Sequence, residues 1–119
     1  MIILRHLLFF FPDPPTFTSS PQNVTVIEEQ NRNLTLNCTV NGSPTPDVKW
    51  TKDGIDISEN QRINVSEFIG NTSSLTITNI KRGDEGQYRC MANNRVKTTI
   101  SAPGKLTVNC EYYFSDCIA

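Results

Sequence analysis

The residues with the widest chemical reach are four cysteines, Cys38, Cys90, Cys110 and Cys117, and one histidine, His6. Thiols can form disulfides, hold a soft metal or act as nucleophiles. No two of these cysteines stand as a C-x-x-C pair, so zinc-finger and thioredoxin-like chemistry fit poorly. His6 sits in an apolar leader, which leaves the rest of the chain without an imidazole base. His-based nucleophilic catalysis and His-ligated metals are nearly excluded on that ground. No catalytic residue, cofactor or metal is expected. The 11 Lys and Arg balance 12 Asp and Glu, for a net charge of −1. That balance lacks the clustered basic excess that grips nucleic acid, so no nucleic-acid partner is expected.

Two further motifs carry chemistry. Asn-x-Ser/Thr sequons begin at Asn23, Asn33, Asn37, Asn41, Asn64 and Asn71. With 12 Asn and 22 Ser plus Thr in 119 residues, chance gives about two. Each is an acceptor for an N-linked glycan in a secreted protein. A Thr- and Asn-rich strand surface accounts for part of the excess. Asn37 is the weakest candidate, because a cysteine, Cys38, stands beside it. The glycosylation candidates are therefore Asn23, Asn33, Asn41, Asn64 and Asn71. Arg82-Gly83-Asp84 spells an integrin-recognition tripeptide. It lies in a tight turn before a strand, not in a protruding loop.

The elements that position these residues are short strands. Leu34, Leu36, Cys38 and Val40 alternate with polar residues, the period-two pattern of a strand with one buried face. Val24 with Val26, Val48 with Trp50, and Ile63 with Val65 repeat the pattern. So do Leu75 with Ile77, Tyr88 with Cys90 and Ala92, and Leu106 with Val108. Asp53-Gly54 and Gly70-Asn71 mark turns, and residues 42–46, rich in Gly and Pro, read as a loop. Asn41 and Asn71 fall in loops, while Asn33, Asn37 and Asn64 point outward by alternation. No helical periodicity is sustained. About seven strands predict an all-β, two-sheet antiparallel Greek-key sandwich over residues 21–109.

The flanks differ. Residues 1–20 are an apolar leader followed by a Pro-rich spacer, expected to be poorly ordered. The leader is too short to span a bilayer, and its apolar run is short even for a signal peptide. Residues 110–119 read as a tail or linker.

The run Asp84-Glu85-Gly86-Gln87-Tyr88-Arg89-Cys90-Met91-Ala92-Asn93 resembles the D-x-G-x-Y-x-C-x-A-x-N signature of immunoglobulin domains. Gly42-Ser43-Pro44-Thr45-Pro46 before Val48-Lys49-Trp50 resembles that family's loop before its core tryptophan. The short Cys38-to-Cys90 interval is similar to the I-set type found in adhesion molecules, receptor ectodomains and hemicentin-like proteins. The resemblance implies an inter-sheet disulfide between Cys38 and Cys90, packed on Trp50. Closing about 53 residues stabilises the fold by roughly 4 kcal/mol in the chain-entropy model. It also implies core roles for Leu75 and Tyr88, the latter as a tyrosine corner. Arg62 is expected to pair with Asp84, which turns the carboxylate of the Arg-Gly-Asp sequence inward. Cys110 and Cys117 have no place in the pattern. They could pair with each other or with a neighbouring module, or mark a cut in a longer chain. The family pattern also lacks its Gly at Gln30-Asn31 and in the 94–98 hairpin. Pro103-Gly104 interrupts the last strand and suggests an edge-strand bulge.

The function this implies is non-catalytic extracellular recognition: cell adhesion or receptor ligand binding through a protein partner. Residues 41–47 and 93–99 share one end of the sandwich and are candidate contact loops. Neighbouring immunoglobulin-like modules are expected in the parent chain, with membrane contact only through other segments. One alternative is a module of a receptor kinase or matrix enzyme. Another is an intracellular structural module of a muscle-filament protein, which the cysteine pair and the sequons disfavour.

Overall fold

The computed structural model describes residues 11–28 and 32–110. The leader through residue 10, Gln30-Asn31 and Cys117 lie outside the described residues. Ten strands form two sheets. The first sheet has four: β1 (Asp13–Ser19), β3 (Leu34–Ser43), β7 (Thr72–Ile77) and β6 (Ile63–Val65), side by side in that order. The second has β2 (Val24–Glu28), β10 (Gly104–Cys110), β8 (Gly86–Asn93), β4 (Asp47–Lys52) and β5 (Ile55–Asp56) in order, with β9 (Thr98–Ile100) also on β8. One short 3-10 turn, Arg82–Asp84, precedes β8.

The period-two pattern sets the burial. On β3, Leu36, Cys38 and Val40 are buried while Thr35, Asn37 and Asn41 are exposed. On β7, Ser73, Leu75 and Ile77 are buried between outward Thr72, Ser74 and Thr76. The facing sheet supplies Val26, Trp50, Tyr88, Cys90, Leu106 and Val108, which complete one core cluster with Ile80. This is the all-β two-sheet sandwich that the alternation predicts.

Four expectations need correction. Pro12 to Ser20 is not simply a spacer: Asp13–Ser19 is edge strand β1, antiparallel to β3. Its prolines are tolerated because an edge strand uses one hydrogen-bonding side only. Pro14 and Pro15 also fall in the register shift between Asp13 and Thr16, where the ladder skips them. Pro15 is buried and Phe17 packs on the core. Asn41, Gly42 and Ser43 belong to β3, so Asn41 is a strand residue paired with Thr16, not a loop residue.

The sandwich is not wholly antiparallel, because β2 runs parallel to β10 from Val24↔Leu106 to Glu28↔Cys110. This pairing places β10 between β2 and β8, so the Pro103-Gly104 break is not at a sheet edge. Just before the break, buried Ser101 serves the backbone of Cys90 on β8. The Ser101 N–H donates to Cys90 O, and its Oγ accepts from Cys90 N–H at 2.9 Å. Gly104 follows because a Cβ there would lie 2.7–2.9 Å from Pro21 and Gln22, where the chain crosses from one sheet to the other. The turn residues behave as read. Asp53 and Gly54 adopt φ of 51° and 83°, and Gly70 and Asn71 adopt 62° and 65°.

Candidate functional site

Cys38 and Cys90 form a disulfide across the sheets, with Cα atoms 6.6 Å apart and both residues fully buried. The strand registers bring it about: Cys38 faces Ser73 on the neighbouring strand, and Cys90 faces Trp50. The indole Nε1–H of Trp50 donates to Ser73 Oγ at 2.9 Å inside the core. One buried indole thereby touches both sheets and has its polar atom satisfied. Ser73 carried no signal as a core residue in the sequence. It is also the hydroxyl residue of the Asn71 sequon, so that sequon has a structural reason to exist. Leu75 is fully buried beside the disulfide.

The turn before β8 is pinned by a second constellation. Arg62 grips Asp84 bidentately, with both N–O distances 2.9 Å. The Asp84 carboxylate also accepts from the Lys81 N–H at 2.8 Å. Arg62 Nη1 donates further to the carbonyls of Thr78 and Asn79. Burial opposes the charge on Asp84. The Arg62 and Lys81 hydrogen bonds, with the charges of Arg62 and Lys52, outweigh it and hold the carboxyl below the usual range. Tyr88 donates its hydroxyl proton to Asp84 O. Burial first, then the charges of Asp84 and Asp53, push the phenol far above its ordinary value, so it stays a neutral donor. The Lys52 ammonium donates to Gly83 O. Arg82-Gly83-Asp84 is therefore a fastened corner: Asp84 is buried and both its carboxylate oxygens are engaged.

At the other end, Asn94 joins the two candidate contact loops. Its Nδ2 donates to Asp13 O and Pro44 O, at 2.8 and 3.1 Å. Its Oδ1 accepts from the N–H groups of Val96 and Lys97. This Asx turn replaces the glycine missing from the hairpin. Arg95, Val96 and Lys97 at its tip are exposed.

The sequon asparagines divide unevenly. Asn33, Asn37, Asn41, Asn64 and Asn71 all lie exposed on or at the rim of the four-stranded sheet. Asn23 precedes β2 and accepts from Lys105 N–H. Cys110 is disulfide-bonded and lies 3.3 Å from an Arg82 nitrogen, which leaves no reactive thiol there. An open groove of about 300 Å³ runs between Ser20, Val24 and Asn37, and none of its lining residues titrates. Among the described residues, no group of three or more His, Cys, Asp and Glu is placed to hold a metal.

The immunoglobulin I-set domain model matches residues 15–108. The muscle M-line assembly protein unc-89 of Caenorhabditis elegans is 39% identical over 82 residues, 69% of this chain and 1% of that protein. Human hemicentin-1 is 33% identical over 125 residues, 86% of this chain and 2% of that protein. The chain thus spans only a few per cent of the length of these relatives. Among solved structures, a chimeric titin Z1Z2 is similar at a TM-score of 0.76 and 33% identity, covering 85% of this chain and 100% of that one. A matched family model over most of the chain, a disulfide packed on Trp50 and a tyrosine corner under Asp84 agree: the chain belongs to the immunoglobulin I-set family.

Proposed function

We propose that this chain is a non-catalytic recognition module of an extracellular protein, binding a protein partner in adhesion or receptor contact. The observation that carries the reading is the buried Cys38–Cys90 disulfide. Such bonds form and persist in oxidising compartments, whereas cytosolic thiols are kept reduced. The sequon excess points the same way. A rigid sandwich offers sheet faces and end loops for contact. The loops joined by Asn94 are the candidate contact end. Neighbouring immunoglobulin-like modules belong to this reading, since the match covers 1% of unc-89 and 2% of hemicentin-1. The catalytic work of any parent kinase or matrix enzyme would reside in another domain.

A second reading has its own support: an intracellular structural module, favoured by the likeness to a muscle M-line assembly protein and to titin domains. Surface labelling of intact cells that express the full-length natural protein separates the two. Labelling by a membrane-impermeant reagent is expected. A protein labelled only after the cells are opened, and found on filaments, would establish the second reading instead.

A further inference from the structure

The two sheets bury one common core but present different chemistry to solvent. The outward positions of β3, β7 and β6 are Thr35, Asn37, Thr39, Asn41, Thr72, Ser74, Thr76 and Asn64. None is charged. Hydroxyl ladders explain the Thr and Ser. Thr35 bonds Thr76 and Thr39 bonds Thr72, each at 3.1 Å, and Ser74 donates to Asn37. The asparagines are not explained that way, because Asn is depleted in strands.

Asn33, Asn37 and Asn41 recur every fourth residue along β3, about 13 Å apart at about 3.3 Å per residue. Asn64 joins them from β6, facing Thr76 in the ladder. The bonds these side chains make use the oxygen. Asn33 Oδ1 accepts from Asn79 N–H, Asn37 Oδ1 from Ser74, and Asn41 Oδ1 from Asn71 Nδ2. All four residues are exposed. Asn71 differs, since its Nδ2 is a donor and its Ser73 serves Trp50. Among the described residues, the strands of the other sheet present no outward sequon asparagine, and Asn23 stands only at its rim before β2: Lys105, Gln87, Arg89, Met91, Lys49 and Ile100 face outward there.

We infer that the outer face of the four-stranded sheet is a glycan-bearing face, with Asn33, Asn37, Asn41 and Asn64 as its N-linked attachment sites, Asn37 the least favoured because its neighbour Cys38 lies in the disulfide. The chemistry needs an oligosaccharide carried as a lipid pyrophosphate. The asparagine Nδ2 bonds to the anomeric carbon of the sugar. The bond from that carbon to the pyrophosphate oxygen breaks, and the lipid pyrophosphate leaves with the electron pair. The amide gives up one proton and keeps one N–H and its carbonyl, so every Oδ1 bond above survives. A face so covered is withdrawn from close protein contact, while the charged and apolar face of the other sheet has a sequon only at its rim, at Asn23.

The inference rests on the extracellular reading, and its test separates the two. The full-length natural protein is isolated from the surface or medium of animal cells that express it. Glycopeptides are then mapped after enzymatic release in heavy-oxygen water, and Cys38 and Cys90 are scored for oxidation in the same digest. Release tags the former attachment sites as aspartate. Tags at two or more of the four asparagines, lost one by one in N33Q, N37Q, N41Q and N64Q, support the assignment. T35V should abolish the Asn33 tag and T35S should keep it. Tags at one or none, on secreted protein with the disulfide intact, would overturn the glycan face and leave the extracellular reading standing. Protein absent from surface and medium, and recovered instead from the cytosol with both thiols reduced, would overturn both.

Discussion

The four-stranded and six-stranded sheets share one interior and differ on their outsides. Inward, both contribute apolar residues at every second position, and each supplies one cysteine of the disulfide. Outward, the first displays only hydroxyls and amides over β3, β7 and β6. The second displays Lys49, Arg89 and Lys105 with Asp47 and Asp56, and apolar Ile27, Met91 and Ile100. The fold therefore constrains what faces in and leaves the outward residues of the two sheets free to differ. Perturbations of the shared interior should disturb both faces together and cost the most. Perturbations of either outer face should leave the fold in place.

The largest effect should follow cutting the link between the sheets. Replacing Cys38 and Cys90 with Ala removes the constraint on a 52-residue separation. A loss of about 4 kcal/mol in urea unfolding is expected, the scale of the entropic model. In a domain with about 5–15 kcal/mol to lose, the double variant should be close to unfolding when warmed.

Next comes the pinned corner. D84N keeps the shape but strands the Arg62 guanidinium, and a loss of about 2–4 kcal/mol is expected. The sign of the pH dependence follows from the depressed carboxyl of Asp84. The unfolded carboxyl titrates near 3.9. Its stabilising contribution is therefore complete above about pH 4 and is lost as the pH falls through the lower folded value. D84N should flatten that acid limb in thermal melts followed from pH 6 to pH 2. An unchanged acid limb in the variant would show that the pair does not control the corner.

A smaller loss is expected from W50F, which leaves Ser73 Oγ without its buried donor. About 1–3 kcal/mol is expected from denaturant unfolding. T51V, in the same strand, supplies a reference of similar size without touching the indole. The smallest effects belong to the outer faces themselves. N64Q on one face and R89Q on the other should each change stability within about 0.5 kcal/mol. Their difference should appear elsewhere, with N64Q altering mass in secreted material and R89Q leaving it untouched.

Much of the interior was legible in the sequence. The alternation around Cys38, Trp50 and Cys90 needs only period two, and the signature ending at Asn93 located Cys90. Strand β1 was not legible, because Pro12 to Ser20 has the composition of a spacer. What makes it a strand is its place at an edge, with the prolines in a register shift. The parallel pairing of β2 with β10 was hidden for a related reason. It joins residues over eighty positions apart, and local pattern says nothing of the partner.

The site residues divide in the same way. Arg62 and Asp84 were visible through their motif. Asn94 was not, because its role arises only where three separate chain segments meet. Ser73 and Ser101 carry no core signal in the sequence, yet each satisfies a buried donor. The sharing of a face by Asn33 and Asn37 follows from parity along one strand, and Asn41 joins them only because β3 runs on to Ser43. That Asn64 joins them follows only once β6 is placed in the same sheet.

The most direct test of the account is the redox state of the core cysteines in the living cell. Cells expressing the full-length natural protein are quenched in acid, and free thiols are alkylated before digestion. The account predicts a cross-linked Cys38–Cys90 peptide, with neither residue alkylated until a reductant is added. Folded protein in which both cysteines are alkylated without reductant would contradict it.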